Sequence, residues 1–300
     1  MLGTTLAVGA SLGCLISAAA LPVIPGFADT TIEFTHAAKM EFDTIPGGLQ
    51  ITEFEIRSLL SKPISPFSDW TIISAFDFKT TVLRFNQVPT SIFFDKDNLH
   101  TFNVYPFTID LSTLALSANE ASPWLYGAWA DARLSTDFRS LDSQNLTFLF
   151  VAGAAYRFYD RFTLGLGGAV TNINDDLKFH PGIGLDWTIT DQVHLGVCGP
   201  DWIASYSLNE NWQLGFCGES TSDFWHISDK GGQPLSIELS SYRIGTFASR
   251  RVIGQLWLRM GAGVTLANEF QLNNSNGDKI VKQTPDYSSF GQISLTIRSW

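Results

Sequence analysis

Leu256-Trp257-Leu258-Arg259-Met260-Gly261-Ala262-Gly263-Val264-Thr265-Leu266 is the stretch that decides the fold. In an extended chain the three leucines, Met260, Ala262 and Val264 fall on one face, and Arg259, Thr265 and two glycines fall on the other. A period of two means strand. A strand apolar on one side and carrying an arginine on the other fits between lipid and a polar interior. The same alternation recurs in both directions along the chain. Ile32, Phe34, Ala38, Met40 and Phe42 oppose Glu33, Thr35, Lys39 and Glu41. Trp124, Tyr126, Ala128 and Ala130 oppose Asp131 and Arg133, and Ile183, Leu185 and Trp187 oppose Gly184, Asp186 and Thr188. Fourteen such segments lie after residue 30, and no helical pattern follows residue 29. Between Leu235-Ile237-Leu239 and Tyr242-Ile244 the apolar phase slips by one, which predicts a bulge near Ser240-Ser241.

Composition and loop lengths support the same reading. The chain is 45% hydrophobic and 16% charged, against about 25% charged in an ordinary domain. No internal run approaches the roughly 18 apolar residues of a membrane helix. Tight connections at Tyr159-Asp160, Thr190-Asp191 and Asn209-Glu210 follow the even strands. Long polar stretches at 83–101, 135–144, 173–180, 219–234 and 273–286 follow the odd ones. Short turns at one rim and long loops at the other are the habit of outer-membrane barrels. Trp70, Trp124, Phe158, Phe162, Trp187 and Trp212 gather at the short-turn end of the apolar face, as an interfacial girdle would. The expected fold is all-β: a single antiparallel transmembrane β-barrel of about 14 strands over residues 29–300. Twelve strands is the alternative, because the segments within 192–218 are shorter than the roughly 9–11 residues needed to span. A large β-sandwich or jelly roll is the other architecture.

The segment from Met1 to Ala28 carries no charge, is broken by Pro22 and Pro25, and ends in Gly26-Phe27-Ala28. It reads as a signal peptide over 1–28, which places the mature chain in the outer membrane. The expected partners are therefore outer-membrane lipid and, during insertion, the barrel-assembly machinery. A net charge of -10 without clustered Lys and Arg speaks against nucleic acid. Oligomeric state is left open. Cys198 and Cys217 fall two strands apart, about 9–10 Å, beyond the roughly 7 Å limit for a disulfide; a bridge is not expected but stays open.

Ala130-Asp131-Ala132-Arg133, Asp137-Phe138, Tyr156-Arg157-Phe158 and Pro181-Gly182-Ile183-Gly184-Leu185-Asp186-Trp187 together resemble an uncharacterised family of bacterial outer-membrane β-barrels known only as a domain of unknown function. Leu195-Gly196-Val197-Cys198-Gly199-Pro200 and Ser240-Ser241-Tyr242-Arg243 are similar to later blocks of the same family. The resemblance implies an outer-membrane location and no known activity. Trp300 supplies a terminal aromatic of the kind the assembly machinery recognises, out of phase with Ile293, Leu295 and Ile297.

No chemistry-bearing motif stands out. His36, His100, His180, His194 and His226 lack nucleophile-elbow or metal-ligand spacing. No cofactor, no metal and no catalysis are expected, with an outer-membrane hydrolase as the remote alternative. Gly165, Gly167 and Gly168 read as small inward residues. The candidate site is the lumen. Its expected charge network is Glu53, Arg57, Asp77, Lys79, Asp110, Asp131, Arg133, Arg157, Asp186, Arg243 and Arg259. With Glu33, Glu41, Glu55, Glu238, Lys39 and Arg298 added, inward positions count nine acids against eight bases. Near-balance suits an interior ion-pair network, since buried charges are costly unless paired. The expectation is a structural or narrow-lumen barrel with outward loops. A small-solute or ion-conducting porin-like channel is the alternative.

Overall fold

The computed structural model describes residues 30–297 apart from 61–63, 68–69, 90–98, 118–121, 138–144, 174–175, 229–233 and 275–276. The expected signal segment, Arg298 and Trp300 lie outside the described residues. The strands are β1 (Thr30–Glu41), β2 (Gly48–Leu59), β3 (Ile64–Phe67), β4 (Trp70–Pro89), β5 (Leu99–Val104), β6 (Phe107–Ser117), β7 (Trp124–Thr136), β8 (Leu146–Tyr159) and β9 (Phe162–Ile173). They continue as β10 (Asp176–Thr188), β11 (Val193–Cys198), β12 (Asp201–Asn209), β13 (Trp212–Ser228), β14 (Pro234–Ile253), β15 (Leu256–Asn274), β16 (Lys279–Gln283) and β17 (Ser288–Ile297).

Neighbours in sequence pair antiparallel, and β1 pairs with both β2 and β17, so the sheet closes on itself. Three wall strands are each interrupted into two segments. β3 extends β2 along β4, β5 and β6 share one edge of β4, and β16 and β17 share one edge of β15. Counted so, the barrel has 14 strands, as the alternation predicts. The 192–218 region supplies two of them, β11 and β12, despite their shortness.

The wall is inverted relative to a soluble protein. Phe148, Phe150, Leu166, Ile183 and Met260 stand outward and exposed, whereas Glu53, Asp131, Asp186 and Arg243 are buried inside. In water that distribution would be untenable; against lipid it is what burial demands. Both described ends lie at one rim, where Thr30 faces Ile297 and the tight turns at 160–161, 210–211 and 254–255 lie.

The opposite, far rim differs from expectation. β4 runs to Pro89, β10 starts at Asp176, β13 runs to Ser228 and β15 to Asn274. Much of 83–101, 173–180, 219–234 and 273–286 is therefore strand. β10 keeps Leu177 and Phe179 outward and exposed; the other extensions have left the lipid, and such a strand solvates Ser, Thr and Asn on its outer side while its backbone ladder continues, so polar composition does not end it. These extensions pack as a soluble protein does. Met40, Leu49, Leu83, Phe85, Trp225, Ile237, Phe270 and Leu272 fill the interior at the far end.

The change from lipid-facing to core-facing happens in two ways. In β1 a bulge between Ala37 and Met40 flips the phase, so Ile32 and Phe34 face out while Met40 and Phe42 face the core. Lys39 and Glu41 consequently pair on the outside, not in the lumen. β15 does the same at Ala267, which has φ 50, before Phe270 and Leu272. β14 uses no bulge: Leu235, Ile237 and Leu239 are buried inward, Ile244 is exposed outward, and Glu238 faces out. The irregularity expected at Ser240-Ser241 sits on its partner strand. Gly168 also departs from expectation, lying on the outer face beneath the ring of Phe179.

Gly263 faces Gly245 across β14–β15, where a Cβ would run into the Ile244 carbonyl. Gly291, by contrast, has open space around it. Gly263→Ala is expected to cost about 1–3 kcal/mol by overpacking, and Gly291→Ala to be near neutral. Urea unfolding midpoints of the two refolded variants check this; equal midpoints would refute it.

Candidate functional site: the barrel interior

The interior charges arise from inward positions of β2, β4, β6 and β7 standing in register. Arg57 faces Asp77, Asp77 faces Asp110, and Asp110 faces Arg133. The order is plus, minus, minus, plus, and each acid is held by the arginine on its own side. Arg57 Nε donates to Asp77 Oδ2 at 3.0 Å, and Arg133 donates through Nε and Nη2 to Asp110 at 3.0 and 2.9 Å. The latter is the two-pronged geometry that makes guanidinium–carboxylate pairs strong. Arg57 also reaches Glu55 at 2.6 Å.

A second group crosses the lumen. Arg243 of β14 donates to Glu53 of β2 at 2.5 Å. Lys79 of β4 contacts Asp223 of β13 at 2.5 Å and Glu53 at 3.4 Å. Trp225 Nε1 donates to Thr108 Oγ1 of β6 at 3.1 Å. The walls β2–β4–β6 and β13–β14 are thus joined directly. At the far rim His226 of β13 pairs with Thr136 of β7, which draws β13 against a strand well away from it in wall order.

Sequence reasoning did not include Asp223, because it lies in the polar stretch taken for a loop. Its signal was the unbroken alternation Asp223-Trp225-Ile227. Asp131 is buried one step from Arg133, between Ser112 and Leu149. Arg157 faces Thr163 near the tight-turn rim. Arg259 stacks over Phe247 at 3.8 Å and reaches Cys217 Sγ at 3.7 Å. No disulfide joins Cys198 and Cys217. The interior is not uniformly sealed: the Arg57 and Arg133 side chains keep 40% and 37% exposure. Trp225 and Ile237 at the far end have none.

Asp186 holds His194 at 3.2 Å, and His194 faces Ser205 across β11–β12. Ser205 Oγ, however, accepts a bond from Gln213 Nε2 at 3.0 Å. Among the described residues no hydrogen bond links Ser205 to His194. His36 sits on the outer face, bonded to Thr52 at 2.8 Å. No group of three or more metal-binding side chains gathers among the described residues.

On the outer wall the expected aromatics form an arc. Trp124 meets Tyr156 at 5.0 Å, Tyr156 meets Phe158 at 4.9 Å, Phe158 meets Phe162 at 5.5 Å, and Phe162 meets Trp187 at 5.9 Å. Trp212 carries Arg250 over its ring at 5.2 Å, and Trp70 stands exposed at the start of β4. All lie at the tight-turn end.

A sequence family described as "Domain of unknown function (DUF6268)" matches residues 119–297, the region that carries the resemblance noted from sequence. No curated protein matches the chain. Among solved structures, the chain is similar to an outer-membrane channel from Pseudomonas putida F1, at 11% identity over 91% of this chain and 99% of that one, with a TM-score of 0.47. It is also similar to the Pseudomonas putida toluene transporter TodX (8% identity, 96% and 97% covered, TM-score 0.37). A third is the transport unit of the autotransporter AIDA-I from Escherichia coli (9% identity, 97% and 97% covered, TM-score 0.37).

Proposed function

The chain belongs to the family described as domain of unknown function (DUF6268), and from that premise we propose that it is an outer-membrane barrel whose own side chains seal the lumen. It serves as a structural barrel with an outward rim, and a wide diffusion pore is disfavoured. The observation that carries this reading is the set of contacts across the lumen, Glu53–Arg243, Lys79–Asp223 and Trp225–Thr108. A hydrated pore keeps its walls apart; here they touch, with an apolar core behind them. The outer-membrane location is supported by the inverted wall and its aromatic arc, with lipid and the assembly machinery as partners and export through the charge-free segment before Asp29. The barrel is non-catalytic in this reading.

Planar-bilayer recording of the refolded protein tests it. Low or no steady conductance is expected. Large, stable single-channel currents from the wild-type chain would overturn the sealed-lumen reading. A narrow channel is the second reading, favoured by the partial exposure of Arg57 and Arg133; it would give small, stable steps.

A further inference from the structure

The wall has a gap. The β11–β12 hairpin turns back at Gly199-Pro200, where Cys198 faces Gly184 on one side and Asp201 on the other. Beyond that turn β10 continues from Ile183 to Asp176 and β13 from Glu219 onward. Among the described residues neither of these facing edges pairs with a strand until His226 reaches Thr136. The sill of the gap is fastened. Asp201 Oδ1 accepts the Ser220 backbone N–H at 2.7 Å, the Tyr242 hydroxyl donates to the Pro200 carbonyl at 2.7 Å, and the Gly199 N–H donates to the Ile183 carbonyl at 2.9 Å. Pro181 stands midway along the open edge of β10 and has no N–H to leave unpaired, which blunts an edge against strand addition.

On its β10 side this gap reaches lipid depth. Leu177, Phe179 and Ile183, on the outer side of the same edge, are 77%, 69% and 52% exposed. They continue upward from Trp187, a member of the aromatic arc. Polar backbone at that depth is tolerated where it borders a cavity and not where it faces lipid directly.

Behind the gap, the inner face of β9–β10 looks onto the outer face of β13–β14. Thr171, Lys178 and His180 project from the first, with Thr171 directly opposite Lys178. Phe224 and Glu238, opposite each other, project from the second. Because β13 pairs directly with β7 at His226 and Thr136, the intervening β8–β10 arch outside that junction, and Lys178 lies near enough to Glu238 to interact electrostatically. Thr171 and His180 are more than nine-tenths buried, and neither Thr171 Oγ1 nor His180 Nε2 has a hydrogen-bond partner. Two buried donors beside a lysine, at the mouth of a lipid-depth gap, await an acceptor carried on an apolar body.

We propose that this cleft binds one long-chain fatty acid, which enters sideways from the membrane between β10 and β13. Its carboxylate is held by Lys178, His180 and Thr171, and its chain lies along Phe224 and out past Leu177. The inference rests on the membrane-barrel reading but not on the sealed lumen.

The test is equilibrium binding of radiolabelled palmitate to the full-length barrel in lipid nanodiscs, with empty nanodiscs as the blank. Saturable binding of one palmitate per chain is expected. Lys178→Gln and His180→Leu should each weaken it about tenfold, the scale of one charge-assisted bond. Lys39→Gln, a lysine on the outer face of β1 paired with Glu41, should leave it unchanged. Hexadecanol should compete more weakly than palmitate. Heat-modifiable migration confirms that each variant has folded, and Thr171→Val offers a milder substitution if either of the others fails to. Uptake no greater than that of empty nanodiscs, or equal affinity in the folded Lys178→Gln and Thr171→Val variants, would overturn the proposal. Bilayer currents with palmitate binding intact would instead overturn only the sealed-lumen reading.

Discussion

Arg243→Ala is expected to destabilise the barrel by about 3–5 kcal/mol, the cost of leaving a buried carboxylate without its partner. Glu53 and Arg243 keep only 7% and 8% side-chain exposure, so water cannot replace the lost guanidinium. Lys79 remains 3.4 Å away but is already engaged by Asp223 at 2.5 Å. Removing both charges, as Glu53→Met with Arg243→Met, should restore much of the loss, because two apolar groups do not strand one another. Arg161→Ala is the control. It breaks a pair at the tight-turn rim whose members are 56% and 84% exposed, and such pairs contribute roughly 0–1 kcal/mol. Urea midpoints followed by tryptophan fluorescence in refolded protein would measure all of these. If the Arg243→Ala midpoint matched that of Arg161→Ala, the cross-lumen pair would have no structural role.

Trp225→Ala should cost a comparable amount, about 3–5 kcal/mol, by a different route. Trp225 heads the fully buried side chains of the far-end core, and its loss opens a cavity the rigid walls cannot collapse into. It also removes the donor that Thr108 accepts from across the lumen. Trp225→Phe keeps most of the volume and should recover more than half of the loss. Thermal unfolding monitored by loss of heat-modifiable migration separates the variants. A Trp225→Ala barrel as stable as wild type would mean that the core does not hold the walls together.

The strand alternation, the closure into 14 strands and the aromatic arc were legible because lipid imposes one rule on every residue it touches. β15 shows this: Leu256 through Leu266 needed no context. Legibility failed where that rule ends. Past Ala37 in β1 and past Leu266 in β15 the apolar phase continues unbroken in sequence, yet a bulge turns it from lipid to core. Along β14 the phase breaks at Ser240-Ser241 with no bulge in that strand, because the solvent outside changed from lipid to water. Two environments and two bulges produce patterns that cancel, so Lys39, Glu41 and Glu238 were assigned to the lumen and stand outside. Asp223 was lost to the same boundary. The paired edges explain the rest: nothing in the residues of β10 alone says that β11 will stop short beside it.

The tie points across the interior join residues 117, 144 and 190 positions apart in sequence. Contacts of that span cannot form until most of the chain has been placed, since loop closure must be met before they return anything. A partly inserted chain is therefore an open trough, its arginines and carboxylates still hydrated. Only when the segment carrying Asp223, Trp225 and Arg243 meets the strands carrying Glu53, Lys79 and Thr108 does the interior dry. Sealing is a late event in maturation, and a barrel truncated before residue 212 would remain permanently wet inside.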